Sequence, residues 1–229
     1  MLNSCAIHEL FNSHGKSISR FQINPLQQEG LILVKSGLSK IFGVTEKGEP
    51  INTDLIFESE LYWVTEANYR SESAFFIEPM RHSALLFIPQ SAIGPHEQRL
   101  LPGIMMKFYR ERLKRIHQQK IRNYGLDLKE RLFYMLSDFC LIYGKRVGAH
   151  YAMPNFFTHE DLANMLRNCR QNITASLNEL KKEGHLNYDR KKILFDGRQI
   201  DKRKAVIPPH LSPKQSTILE NAGLFELVG

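Results

Sequence analysis

The apolar positions of this chain change period as the sequence advances. From about Lys16 to Ile88 they come in short runs. GLILVKSGLSKIFGV, beginning at Gly30, is rich in β-branched and apolar residues and is broken at Gly37. Glu46–Glu49 (EKGE) is a hairpin turn between apolar flanks, and Ser83–Pro89 (SALLFIP) is an apolar run closed by a proline. Such runs at close spacing predict a sandwich, jelly roll or small barrel.

Around Pro95 the period becomes helical and stays so from Leu101 to about Arg122. Met106, Tyr109, Leu113 and Ile116 follow a 3-4-3 spacing, the seam of a coiled coil over two heptads. Arg110, Glu111, Arg112, Lys114 and Arg115 make the rest of that surface charged. So narrow a stripe is buried either on the chain's own β-domain or on the same helix of a second subunit.

Asn123-Tyr124-Gly125 breaks the helix, and Asp127 with Glu130 forms a capping-box restart. The next helix carries Leu128, Leu132, Met135, Leu136, Phe139 and Ile142 on one side. Gly144 to Asn155 reads as a loop. Thr158 with Asp161 then caps a short helix whose inner face is Leu162, Ala163 and Leu166. After a tight turn comes a second helix with Ile173, Leu177 and Leu180 inward and Gln171, Thr174 and Asn178 outward. Gly184, His185–Tyr188, the basic DRKK at Asp189–Lys192 and Ile193–Phe195 read as a hairpin with a charged tip. This is the pattern of a helix-turn-helix followed by a wing. Beyond Gly197 the chain is polar and contains proline, with a terminal helix expected at about Ser212–Ala222.

Composition sharpens this reading. The formal charge is +7, and from Arg167 to Lys204 eleven Lys and Arg stand against five Asp and Glu. The basic surplus therefore sits on the winged segment and favours a polyanionic partner. Arg170 and Gln171 can pair bidentately with guanine and adenine edges, and Thr174 with several partners. Thr158, Arg167, Lys191 and Lys192 suit phosphate contacts, which position without specifying.

Cys5, Cys140 and Cys169 lie far apart with no CxxC pair, which suggests neither a disulfide framework nor a zinc site. No apolar run is long enough to span a membrane, and the N-terminus lacks a signal peptide's order. A soluble, cytoplasmic protein is expected.

From Asp127 to Phe195, and more broadly in the order of its parts, the chain resembles the Crp/Fnr family of bacterial transcription regulators. The resemblance implies an α+β fold: an N-terminal β-roll (jelly roll) over 1–96, a long dimerisation helix and hinge over 97–126, and a C-terminal winged helix-turn-helix with its tail over 127–229. It implies a homodimer joined through Met106, Tyr109, Leu113 and Ile116, bound to a palindrome in double-stranded DNA. RNA polymerase is a further partner if the regulator is an activator. Base reading falls to Arg170, Gln171 and Thr174. Two departures stand out. The glycine usual in the turn is replaced by Arg167-Asn168-Cys169, where Asn168 is the residue suited to a left-handed conformation. The family's R-E-T-x-x-R appears as Arg170-Gln171-Asn172-Ile173-Thr174-Ala175, so the operator should differ from the family's usual half-sites.

The effector is less legible. Where cyclic-nucleotide binders of the family have G-E-[LI]-G and R-S-A, this chain has Ser59-Glu60-Leu61-Tyr62 and Arg70-Ser71-Glu72. Glu60, Arg70 and Ser71 match, but the glycines that admit a phosphate to the backbone are gone and Glu72 adds negative charge. An iron–sulfur cluster lacks its cysteines. Haem has only His82 or Cys5 as candidate ligands. The aromatic residues Tyr62, Trp63, Tyr69, Phe75 and Phe76, with Arg70 and Arg81, suit a small organic effector, aromatic or carboxylated. They are equally suited to filling a core. Gly144–Gly148 (GKRVG) and the basic wing resemble the branch of the family that senses halogenated aromatic acids. Cys169, at the start of the second helix where the helix dipole favours an anion, is a candidate redox switch. Two alternatives remain. One is a ligand-independent DNA-binding repressor. The other is a cupin-like enzyme on a DNA anchor, which the nine scattered histidines, with no HxH, disfavour.

Overall fold

A computed structural model describes residues 11–18, 29–65 and 75–206. The chain divides into two compact units, the first running through Ile121 and the second beginning at Arg122.

Among the described residues the first unit holds seven strands: β1 (Lys16–Ile18), β2 (Gly30–Ser36), β3 (Leu38–Val44), β4 (Pro50–Phe57), β5 (Leu61–Val64), β6 (Phe75–Pro79) and β7 (Ala84–Pro89). They form two antiparallel sheets, ordered β1-β7-β2-β5 and β4-β3-β6. The expected turn at Glu46–Glu49 joins β3 to β4, with Thr45 N–H bonded to the Glu49 carbonyl at 2.9 Å. Gly37, at φ +76, makes the sharp step from β2 to β3 where no β-carbon fits.

Side chains of a strand alternate between faces, and here both faces of the first sheet are covered. Ile32, Val34, Leu85 and Phe87 meet Ile41, Ile56 and Ile77 of the second sheet. Leu31, Leu61 and Ile88 turn the other way and pack with Leu101, Met105 and Phe108 of α1 (Pro95–Arg122). Burial on both sides explains why GLILV is a continuous apolar run.

α1 starts earlier than the sequence pattern indicates. Pro95 opens it and Pro102 lies inside it. Proline in a helix interior costs a backbone hydrogen bond, and the helix is nonetheless held there by Leu101, buried one residue before it. The helix carries two adjoining stripes. Leu101, Met105, Phe108, Arg112 and Arg115 face the β-roll, while Met106 and Leu113, one position further on, are 68% and 54% exposed. Arg112 and Arg115, read from sequence as charged outer surface, are therefore mostly covered. Arg112 is buried and pairs with Asp54, and Arg115 pairs with Glu60.

The second unit runs α2 (Leu128–Tyr143), β8 (Lys145–Val147), β9 (His150–Pro154), α3 (His159–Leu166), α4 (Arg170–Lys182), β10 (Leu186–Tyr188), β11 (Lys192–Asp196) and α5 (Gly197–Val206). Asp127 and Glu130 form the expected capping box on α2. Leu132, Leu136 and Phe139 of α2 are buried, as are Leu162 and Leu166 of α3 and Ile173, Leu177 and Leu180 of α4. Phe139 and Phe157 pack at 4.8 Å between ring centroids.

Two expectations are corrected here. The stretch from Gly144 to Asn155 is a strand pair rather than a loop, completing a sheet ordered β10-β11-β9-β8. Tyr151 and Met153 alternate inward with period two, a signal too short to stand out beside Gly148 and Pro154. The segment after Gly197 begins as α5, not as a polar tail. Ile200 is fully buried, Asp201 accepts from the Tyr151 hydroxyl at 2.8 Å, and Arg203 bonds Asp138 at 2.7 Å. The helix expected at 212–222 lies outside the described residues.

Candidate nucleic-acid interface

α3 and α4 are held apart by a turn whose chemistry is local. Thr158 and Asp161 cap α3 reciprocally: the Thr158 hydroxyl oxygen accepts from Asp161 N–H at 3.0 Å, and Asp161 accepts from Thr158 N–H at 2.9 Å. The left-handed residue at the end of α3 is Arg167, at φ 51 and ψ 57, and not Asn168. The reason lies in the Asn168 side chain. Its oxygen accepts from Cys169 N–H at 2.9 Å and from the Asn172 amide at 2.8 Å, bracing the start of α4. The left-handed conformation then falls one residue earlier, where an ordinary side chain costs about 1–2 kcal/mol. Asn168 N–H reaches the Ala163 carbonyl at 2.9 Å and closes the turn.

Arg170 and Gln171 stand exposed in the first turn of α4, with Cys169 exposed at its N-cap. Thr174 is half-buried. Its hydroxyl donates to the Arg170 carbonyl at 2.9 Å and lies 2.9 Å from His159 Nδ1. Asn178, one turn further, accepts from the Tyr188 hydroxyl at 3.4 Å. Tyr188 belongs to β10. Its ring meets His159 at 5.8 Å and the Lys181 ammonium at 6.0 Å, which ties the hairpin to both helices.

The wing tip is the turn between β10 and β11, and Asp189 shapes it. Its carboxylate accepts from Lys191 N–H at 2.6 Å and Lys192 N–H at 2.9 Å, which together hold its pKa below the ordinary carboxylate value. Asn155, just after β9, braces the same turn: its side-chain amide donates to the Asp189 carbonyl at 2.7 Å. Arg190, Lys191 and Lys192 remain exposed around this frame. Arg170, Gln171 and Thr174 thus share α4, and Lys191 and Lys192 share the wing tip. Arg167 is exposed at the turn, while the Thr158 hydroxyl is spent on the cap.

The bracing roles of His159, Tyr188, Asp189 and Asn155 escape the sequence reading, although Tyr188 and Asp189 fall in the hairpin it marks. An Asp followed by an arginine and two lysines in a tight turn is a recognisable Asx turn and could have revealed one of them.

The candidate effector residues lie in the first unit. Glu60 is buried and engaged: its Oε2 accepts from Phe57 N–H at 3.0 Å, and its two oxygens take the Arg115 guanidinium at 2.6 and 3.2 Å. Arg115 stacks 4.1 Å from the Phe57 ring, and Arg112 lies 5.0 Å from the Tyr62 ring. Tyr62 packs against the cluster between the sheets, whereas Trp63, its neighbour on β5, packs against the cluster beneath α1. Arg70 and Ser71 lie outside the described residues. Of the four stripe residues, Met106 and Leu113 are open, Ile116 is half-buried, and Tyr109 turns partly inward, edge-on to Tyr62 at 6.5 Å. Among the described residues no group of His, Cys, Asp or Glu could hold a metal ion, and no helix is long and apolar enough to cross a membrane.

No family model and no curated protein match the sequence. Solved structures do. A double variant of CooA from Carboxydothermus hydrogenoformans is 18% identical, with a TM-score of 0.60 over 83% of this chain and 87% of that one. CprK complexed with OCPA is 13% identical, with a TM-score of 0.58 over 86% of this chain and 93% of that one. A CRP/FNR-family transcriptional regulator from Thermus thermophilus is 18% identical, with a TM-score of 0.56 over 82% of this chain and 94% of that one. In both of its units and in the order of its elements, the chain has the fold of the CRP/FNR regulators.

Proposed function

We propose that the chain is a sequence-specific DNA-binding transcription regulator that works as a homodimer on a palindromic operator. A small organic effector in the β-roll controls it. The observation that carries this reading is the exposed face of α4. Arg170 and Gln171 project there over a fully packed core of Ile173, Leu177 and Leu180, and the basic wing tip accompanies them. Side chains of this kind on a helix of this kind suit the major groove, and the wing lysines suit phosphates. Met106 and Leu113 supply an uncovered apolar stripe fitted to a second copy of α1. With such symmetry the two half-sites lie one DNA turn apart, about 34 Å.

That CprK has been found complexed with OCPA supports a small-molecule ligand. Such a ligand acts only through its differential affinity for two arrangements of the dimer. A second reading, a repressor that needs no ligand, is favoured by one observation. Glu60 already has its charge partner within the protein. A thermal-shift screen over aromatic acids, cyclic nucleotides and haem separates the two, provided hits are retested for their effect on operator binding. Sequence selection from a pool of random duplexes tests the shared claim: the full chain should enrich an inverted repeat. Uniform retention of all sequences would refute it.

A further inference from the structure

The Thr174 hydroxyl has one proton to give, and the Arg170 carbonyl receives it at 2.9 Å. The same oxygen lies 2.9 Å from His159 Nδ1. Both contacts are satisfied together only if His159 carries a proton on Nδ1 and donates it to Thr174. In the opposite arrangement, with the hydroxyl donating to the histidine, its proton is consumed as well. In either case it is not available to a base. The back-bond to the carbonyl four residues earlier also fixes the side-chain rotamer, holding the oxygen against the helix. His159 is itself seated, since its ring packs on Tyr188 of the wing.

We infer that Thr174 reads its base pair through its methyl group and not as a hydrogen-bond donor, so that the base facing it in each half-site is thymine. The major groove offers one apolar feature, the thymine C5-methyl, and a threonine methyl is a suitable contact for it. His159 is the positioning residue: with the Arg170 carbonyl it takes up the hydroxyl's proton, so the side chain can offer a base its methyl or an oxygen lone pair but no donor. This inference rests on the proposed DNA-binding reading and assigns the chemistry of one of its three readers.

Two variants separate the possibilities. Thr174→Val keeps the methyl and shape and removes the hydroxyl, and Thr174→Ser keeps the hydroxyl and removes the methyl. Selection by the wild-type chain first supplies an operator, and anisotropy titrations then compare it with operators changed at each position. Thr174→Val should retain the thymine preference at one position per half-site. Thr174→Ser should lose it, by about fourfold per half-site, the factor that burying one methyl-sized group gives. Retention by serine with loss by valine would overturn the inference alone. If the wild-type chain enriches no sequence, the DNA-binding reading falls and takes the inference with it.

Discussion

Arg115 of α1 grips Glu60 at two points, Nη1 to Oε1 at 2.6 Å and Nη2 to Oε2 at 3.2 Å, across 55 residues of sequence. The same guanidinium bonds the Leu55 carbonyl at 3.1 Å and covers Phe57. The Glu60 carboxylate is thereby consumed in fastening the long helix to the roll.

Glu60 is buried and Arg115 mostly covered, so removing one partner strands the other. Glu60→Gln should destabilise the roll by about 3–5 kcal/mol, whereas a Glu60→Leu/Arg115→Met double variant should recover much of that loss. Urea denaturation of the full chain measures both. Equal losses in the single and double variants would mean that the pair does not act as a unit.

Tyr109, beside Tyr62 and Arg112, gives a pH signature of the packing between the long helix and the roll. Burial raises its phenol pKa, with the Tyr62 phenol adding to the rise, while the Trp63 backbone hydrogen bond and the Arg112 charge oppose it. A raised folded-state pKa means that the stabilisation is present below the free tyrosine value of about 10 and fades as pH rises through the folded value. Alkaline titration followed by tyrosinate absorbance should therefore show a late component that disappears in Tyr109→Phe. An unchanged curve in that variant would refute the assignment.

The open stripe on α1 predicts the assembly. Leu113→Asp places a charge at a position that is 54% exposed in the single chain. Sedimentation should change from dimer to monomer while far-UV circular dichroism stays constant. A variant that remains dimeric would put the subunit contact elsewhere.

The wing depends on Asp189, whose two backbone donors lower its pKa. A depressed carboxylate stabilises the turn above its unfolded value of about 3.8, and the effect is lost as pH falls through the lower folded value. Amide exchange at Lys191 and Lys192 should be slow at neutral pH and accelerate in Asp189→Ala. Equal exchange in the variant would show that the turn holds without its carboxylate.

Period made much of this legible in sequence. The inward residues of α3 and α4 and the caps at Asp127 and Thr158 depend on neighbours within four positions, and the structure bears them out. What escaped depends on distant partners. Arg112 and Arg115 continue the Leu101, Met105, Phe108 spacing by further steps of four and three, but two arginines at the end of an apolar stripe read as solvent-facing. Asp54 and Glu60, brought over by β4 and the turn after it, supply the charge partners that let them be covered. The left-handed residue moved from Asn168 to Arg167 because the asparagine side chain had another use. The β8–β9 pair was hidden because its partner strand β11 lies some forty residues on. Of the three matching candidate effector residues Glu60, Arg70 and Ser71, only Glu60 is among the described residues, and it serves the protein's own helix.

The central claim, that α4 reads sequence while the wing holds phosphate, is tested most directly by one comparison of salt titrations. The chain, Arg170→Ala and a Lys191→Ala/Lys192→Ala double variant are each measured on the selected operator and on one with a guanine changed. Arg170→Ala should lose about 1–3 kcal/mol on the operator and bind the altered site equally well. The double variant should weaken on both alike and flatten the salt dependence, by roughly one unit of slope per lysine removed in each half-site. If Arg170→Ala binds with unchanged affinity and preference, α4 does not enter the groove as described and the account is wrong.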